Sequence, residues 1–294
     1  MLTERSIANV VREGAAELGR ASIPTAGIDA QLLLACALKL DRTALLRESQ
    51  RLLKPKEIRS FRDLLERRLR HEPLAYVTGQ KEFWSLEFEV KRSVLIPRPE
   101  TETLVEAAIE IASTYQGDGT IHILELGTGS GAIAVALAKA VKNCRVRAID
   151  RSGRALAVAK RNAEKHGVMA RILFLQGNLF QPVAGCSSFF HLMVSNPPYV
   201  ATAEIDGLEP EIRLYEPKAA LDGGKDGLKF HRWIIKAAPY FLKPGGTLIL
   251  EIGAEQKEEV ARLLADAGSF SGISFRRDLA GNFRVALATL KQKQ

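Results

Sequence analysis

The chain has 294 residues, enough for two domains, and its 46% apolar and 26% charged residues suit a packed core, which excludes disordered, collagen-like and disulfide-scaffold classes. The net charge is +8, and residues 51–70 alone carry eight basic against three acidic residues. A run of that kind either faces a polyanion or is a solvated helix face. Glu57, Asp63 and Glu66 interrupt it and favour the second reading. Cys36, Cys144 and Cys186 are far apart, the histidines are scattered, and no C-x-x-C or H-x-x-x-H pair exists. A reducing compartment and no metal site are expected. Glu4 and Arg5 stand where a secretory signal needs apolar residues, and the longest apolar runs, 32–38 and 132–138, fall short of the roughly 20 residues that span a bilayer. A cytoplasmic protein is expected.

In chain order, residues 3–70 read as helices. Thr3 is the expected cap of a first helix with Ile7, Val10, Val11, Ala15 and Leu18 on its apolar stripe. Thr25 opens a second helix, Asp41 caps a short third, and Pro55 begins a fourth whose apolar face carries Ile58, Phe61, Leu64, Leu65 and Leu69. Alternation over Phe83, Leu86, Phe88 and Val90 then predicts a strand pair. Beyond Pro97 helices are predicted over 100–114, 130 onward, 152–166, 226–242 and 256–266. Strands are predicted over 121–126, 144–150, 170–176, 191–196, 247–252, 272–277 and 283–289. This alternation predicts a doubly wound, mostly parallel α/β sheet.

The first strand of that sheet runs into Gly127-Thr128-Gly129-Ser130-Gly131 and then an apolar helix. Glycines let backbone turn tightly and approach a ligand, while the helix start offers N–H groups. Asp150, at the end of the next strand and 21 residues beyond Gly129, is placed to accept hydrogen bonds from two ribose hydroxyls. Two ligand classes fit. A dinucleotide more often brings G-x-G-x-x-G for its pyrophosphate. S-adenosylmethionine needs no phosphate contacts, and the loop by itself favours it modestly.

Ser195-Asn196-Pro197-Pro198-Tyr199 follows the fourth strand, at the carboxyl edge where open α/β sheets bind ligands. The prolines remove two backbone donors and leave carbonyls facing the crevice. Asn196 adds a side-chain acceptor and Tyr199 a flat aromatic surface. Together they can hold a planar –NH2 group between the Asn196 oxygen, the Pro197 carbonyl and the ring.

The glycine loop, Asp150 and Asn-Pro-Pro-Tyr resemble the class I methyltransferases that modify planar amino groups. EPLAYVTGQKEF (72–83), VLIPRPETE (94–102), EPKAALDGGKDG (216–227), LILEIG (248–253) with Gln256, and DLAGNFR (278–284) resemble the HemK/PrmC family within that class. Those enzymes are the N5-glutamine methyltransferases of peptide chain release factors. The resemblance implies a class I α/β fold with a seven-stranded sheet. It also implies a helical partner-recognition domain over 1–75, a β-hairpin linker over 76–97 and a catalytic domain over 98–294. Implied as well are S-adenosyl-L-methionine as donor, S-adenosyl-L-homocysteine as product, and methyl transfer to the glutamine amide of a Gly-Gly-Gln motif. The implied cofactor residues are Gly127, Thr128, Gly129, Ser130, Gly131, Asp150, Asn178, Leu179 and Asn196. The substrate would meet Asn196, Pro197, Pro198 and Tyr199, of which Asn196, Pro197 and Tyr199 take the catalytic roles. Asn178-Leu179 departs from the more usual acid and bulky residue, so Asn178 accepts from adenine as a neutral group.

A release factor is the expected partner of a monomer with no membrane contact. The alternative is methylation of an adenine or guanine amino group in nucleic acid. Glu125 is expected to face the donor's amino group rather than cap the turn. Arg98 and Glu100 either border the donor's methionine part or pair with each other. Trp84 and Cys144 read as structural.

Overall fold

A computed structural model describes residues 5–115 and 119–292. They form two units, one comprising the chain up to Gln80 together with Glu209–Tyr215, the other Lys81–Leu208 with the chain from Glu216 onward. The hairpin expected as a separate linker therefore lies, from Lys81, in the second unit. A segment distant in sequence joins the first. Among the described residues no helix is long and apolar enough to cross a membrane.

The first unit opens with helix α1 (Ile7–Arg20), whose cap is Ser6, accepting from the Asn9 N–H; the expected cap Thr3 lies outside the described residues. Helix α2 (Ala26–Leu38) follows Thr25, and α3 (Arg42–Arg47) is capped by Asp41, which accepts from the Ala44 N–H at 2.7 Å. Helix α4 (Pro55–Leu69) starts on its proline, with Glu57 accepting from the Lys54 N–H at 2.7 Å. A short helix α5 (Leu74–Thr78), not predicted, ends on Gly79 in the left-handed region. The apolar stripes meet in one core around Ile7, Leu18, Leu33, Leu45, Phe61 and Leu65. Gly14 lets α1 and α4 approach, since a Cβ there would lie 2.7 Å from the Phe61 ring.

In the second unit, strands β1 (Gln80–Phe83) and β2 (Leu86–Glu89) form a tight hairpin, turned at Trp84 and Ser85 with φ of 53° and 54°. Helix α6 (Glu102–Thr114) precedes β3 (Ile121–Leu126), α7 (Ala132–Ala140), β4 (Cys144–Asp150), α8 (Gly153–Lys165) and β5 (Ile172–Gln176). Strand β6 (Phe190–Ser195) leads to the short α9 (Pro210–Tyr215), which belongs to the first unit. Then follow α10 (Lys229–Phe241), β7 (Leu242–Glu251), α11 (Lys257–Asp266), β8 (Phe270–Arg277) and β9 (Phe283–Leu290).

The sheet order is β5-β4-β3-β6-β7-β9-β8; β3 to β7 are parallel, and β9 runs antiparallel to both its neighbours. Alternate side chains of β3 feed opposite faces: Ile123 joins the core with α6, α7 and α8, while Leu124 and Leu126 join the core with α10 and α11. The chain winds outward from β3 to β5 and returns to β6 on the other side. The ends of β3 and β6 therefore border the crevice of a topological switch point.

Within the first unit, Arg68 of α4 is buried; its Nε donates to the buried Asp29 of α2 at 2.7 Å and its Nη1 to Glu211 of α9 at 3.0 Å. The Tyr215 hydroxyl donates to the Arg70 carbonyl at 2.6 Å. Arg68→Ala leaves Asp29 as an uncompensated buried charge, so an expected loss of about 3–5 kcal/mol should appear in urea unfolding. Exposed Arg59→Ala, by contrast, should change little.

Candidate active site

A cavity of about 280 Å³ opens at the switch point. Its wall includes Gly127, Gly129, Asp150, Asn178, Leu179 and the residues Asn196, Pro197 and Pro198. Gly127 and Gly129 have φ of 76° and 55°, the left-handed region that glycine enters without strain. The loop's own backbone groups are largely used: the Gly127 and Thr128 N–H groups donate to the Ile149 carbonyl, and the Gly131 N–H to the Thr128 carbonyl. The Gly129 N–H donates to Asp150 Oδ2 at 2.9 Å, and the Ser152 N–H to Asp150 Oδ1 at 2.8 Å. A loop spent this way offers little to a pyrophosphate. It does fix the Asp150 carboxylate at the cavity with further lone pairs on each oxygen. Burial raises the pKa of Asp150 above the usual aspartate value, and the Ser152 and Gly129 hydrogen bonds oppose the rise.

Three other residues of the loop region face elsewhere. Thr128 and Ser130 are buried, and the Thr128 hydroxyl donates to Glu125 Oε2 at 2.7 Å. Ser130 gives its carbonyl to Asn162 of α8, whose side chain also exchanges two hydrogen bonds with the Glu89 backbone. Gly131, with φ of 81°, packs on Ala159 so closely that a Cβ would stand 2.9 Å from the Ala159 Cβ. Glu125 is fully buried and ties the turn through Thr128, and it is not on the cavity wall. Its carboxyl is pushed up to about 8, chiefly by burial. Its other oxygen, Oε1, has no hydrogen-bond partner among the described residues.

On the opposite wall, the Ser195 hydroxyl donates to the Leu126 carbonyl at 2.8 Å and pins the end of β6 to the end of β3. Asn196 Nδ2 donates to Thr101 Oγ1 at 3.1 Å, which leaves Oδ1 as an acceptor. Among the described residues no donor reaches the Pro197 carbonyl. Further along, Tyr199 O accepts from Gln256 Nε2 at 3.0 Å, and Val200 O from the Gly223 N–H at 2.8 Å. Tyr199 itself is not on the cavity wall, contrary to the flat surface expected of it. Its hydroxyl is drawn to the buried Glu251, donating to Oε1 at 3.2 Å. Arg98 pairs with Glu216, not with Glu100, and Glu216 also accepts from the Ile96 N–H at 3.0 Å. Trp84 packs on the core and Cys144 is buried, as read.

Two family models match this chain: the PrmC N-terminal domain over residues 9–79 and the Methyltransferase small domain over residues 108–209. A release factor glutamine methyltransferase of Geobacter sulfurreducens is 44% identical over 266 residues, covering 90% of this chain and 89% of its own length. Another, from Moorella thermoacetica, is 39% identical and covers 96% of this chain and 97% of its own. The chain belongs to the release factor glutamine methyltransferase family. Its second unit has the class I methyltransferase fold. The solved hMettl16 catalytic domain in complex with the MAT2A 3'UTR hairpin 6 matches with a TM-score of 0.57 at 13% identity, covering 79% of this chain and 83% of that one. That likeness concerns the fold alone.

Several segments of the family pattern take part in the site without having been assigned a role from the residues. Val94 and Leu95, then Pro217, Ala219 and Ala220, complete the cavity wall with Phe230 of α10. Gly223 and Gly227 are explained by the acceptor loop. A Cβ at Gly227, where φ is 73°, would stand 2.3 Å from the Tyr199 carbonyl oxygen, and one at Gly223 would stand 2.8 Å from that of Pro198. Gly227→Ala is expected to cost about 1–3 kcal/mol and to slow methyl transfer by displacing this loop. Thermal unfolding and initial rates check both.

Proposed function

We propose that this enzyme transfers the methyl group of S-adenosyl-L-methionine to the side-chain amide nitrogen of the glutamine in the Gly-Gly-Gln motif of peptide chain release factors. The observation that carries this reading is the pair of acceptors, Asn196 Oδ1 and the Pro197 carbonyl, on the same cavity as Asp150 and the glycine loop. Relatives spanning nearly the whole chain are named for that reaction, which does not favour the nucleic-acid alternative. The enzyme would act in the cytoplasm, with residues 1–75 recognising the release factor.

The residues fit the donor. Asp150 keeps lone pairs for two ribose hydroxyls, and the glycine loop, whose N–H groups are internally bonded, suits an amino-acid moiety better than a phosphate. Asn178 and the backbone at Leu179, held at a φ of 47°, would meet the adenine, with Phe230 on the apolar wall. When bound, the donor supplies a methyl group already activated by the positive sulfonium.

An amide nitrogen is a weak nucleophile because its lone pair is delocalised into the carbonyl. Asn196 Oδ1 and the Pro197 carbonyl would each accept one of its hydrogens, polarise both N–H bonds and turn the lone pair toward the methyl group. Holding reactants at the right distance and angle can supply several kcal/mol of the barrier, roughly 7–11 in well-oriented systems. As the N–CH3 bond forms, the S–CH3 bond would break with its electron pair staying on sulfur, giving S-adenosyl-L-homocysteine. The nitrogen would then lose one of these two protons to water or a backbone acceptor.

Tritiated S-adenosylmethionine offered separately to release factor, tRNA, rRNA and DNA tests the reading. Label is expected in release factor alone, on the glutamine-containing tryptic peptide. Label in nucleic acid with none in release factor would overturn it.

A further inference from the structure

Behind the acceptor loop, at the end of β7, sits Glu251, a fully buried carboxyl within the core of the second unit. One oxygen, Oε1, accepts from the Tyr199 hydroxyl at 3.2 Å, while Oε2 has no hydrogen-bond partner. A buried carboxyl that leaves an oxygen unmatched is costly unless it does something for its neighbours. The Thr101 hydroxyl favours the charged form of Glu251, although Oε2 keeps no hydrogen-bond partner. Thr101 Oγ1 in turn accepts from Asn196 Nδ2 at 3.1 Å. Asn196 of the acceptor site and Tyr199, three residues on, thus both lead toward one carboxyl.

The directions of these contacts follow from chemistry. A carboxylate only accepts, so Tyr199 turns its proton toward Glu251 Oε1, and the Thr101 hydroxyl is the donor available to the unmatched Oε2. A hydroxyl whose proton is committed has only lone pairs left for Asn196, so the Asn196 side chain must present its NH2 to Thr101. Its oxygen is then the atom turned outward. We infer that Glu251 and Thr101 are positioning residues that set the orientation of the Asn196 amide, so that Oδ1 rather than Nδ2 faces the incoming substrate –NH2. This rests on the acceptor-site reading above and adds to it what holds Asn196 the right way round. Reversed, Asn196 would point a donor at a donor.

Other groups around Glu251 define its charge. Arg284 of β9 faces it and is itself held by Asp278, which accepts from Arg284 Nε at 3.2 Å. Glu100 opposes ionisation from the segment before α6. His231 of α10 contacts the Glu251 backbone carbonyl through Nε2 at 2.9 Å, and burial lowers its pKa, so it serves as a neutral donor. The net result is a carboxyl pushed up to about 7, chiefly by burial. Below that pH Glu251 gains a proton and becomes a donor, and it no longer commands the Thr101 proton.

The test uses the full-length enzyme with release factor as substrate and calorimetric binding of S-adenosylmethionine. Thr101→Val keeps the shape and removes the hydroxyl. It is expected to lower kcat about 10- to 100-fold, the scale of a small misplacement at the reacting centre, with donor affinity nearly unchanged. Thr101→Ser should recover most of the rate. The double variant Thr101→Val/Asn196→Ala should be no slower than Asn196→Ala alone, because Thr101 acts through Asn196. The parental kcat should fall as pH is lowered through about 7, and Glu251→Gln should lose that limb. If Glu251→Gln does not fold, as circular dichroism would reveal, the Thr101 series decides by itself.

A parental rate in Thr101→Val, or losses that multiply in the double variant, would overturn the inference while leaving the acceptor site intact. A parental rate in Asn196→Ala would overturn both.

Discussion

Asn196→Ala is expected to lower kcat for release factor methylation about 100-fold, because the acceptor that holds one amide hydrogen is gone and a shift of roughly 1 Å at the reacting nitrogen suffices for that loss. Donor affinity should change far less, since Asp150 and the glycine loop stand on the other wall of the cavity. Asn196→Asp is the more informative variant. It keeps an oxygen toward the substrate but replaces the Nδ2 donor by a second acceptor against Thr101 Oγ1. The Thr101 proton must then serve two carboxyls, and negative charge accumulates beside Glu251. The extra charge also pairs with the sulfonium in the ground state more than in the transition state. Asp should therefore be slower than the parent and faster than Ala. Single-turnover rates with saturating donor separate these effects from binding. An unimpaired Asn196→Ala would reduce the tetrapeptide to a proline-stiffened turn.

Asp150→Ala should weaken donor binding on the order of 100-fold or more, from two lost charged hydrogen bonds of roughly 1.5–3 kcal/mol each. The structure adds a second cost. The Gly129 and Ser152 N–H groups lose their acceptor, so the turn that shapes the donor site loosens. Asp150→Asn does not rescue this fully, because its NH2 must face one of those two N–H groups. The raised pKa of Asp150 gives the pH dependence its sign. Protonation turns an acceptor into a donor, so donor affinity falls with acidification, and it starts to fall at a higher pH than an ordinary aspartate would dictate. Titration calorimetry across that range, with thermal unfolding as a control for fold, measures both effects. Unchanged affinity in Asp150→Ala would remove Asp150 from the donor site.

Much of the fold was legible because its periodicities are strong. The apolar-rich β3 and β6 are strands buried on both faces, β4 alternates exposed and buried residues over its first half, and the 3.6-residue stripes of α1 and α4 belong to helices with one packed face. What periodicity does not carry was missed: α5 and α9 are five and six residues long, too short to show a stripe. The capture of α9 by the first unit depends on Arg68 and Glu211, which are 143 residues apart. The first helix begins at Ser6 because the start of α1 has that hydroxyl for its free N–H groups.

The site divides in the same way. From residue types and spacing alone came the glycine loop, Asp150 and Asn-Pro-Pro-Tyr, since backbone freedom, a lone carboxylate at a strand end and paired prolines are chemical properties of local sequence. Local sequence does not say which way a side chain turns. Tyr199 turned inward to a carboxyl 52 residues away, and Arg98 bypassed nearby Glu100 for Glu216. Glu125 accepts from the Thr128 hydroxyl of the neighbouring turn through one oxygen, while the other has no partner among the described residues. For Tyr199 and Arg98, an unpaired polar group would have been expensive, and the buried carboxylate that relieved it was supplied by the way the chain is wound. The sequence by itself determined which chemical groups this protein carries to the carboxyl edge of its sheet. Only the tertiary structure decided which of them face the cavity and which, like Glu251 and Thr101, stand behind it, because those positions depend on contacts between strands and helices far apart in the chain.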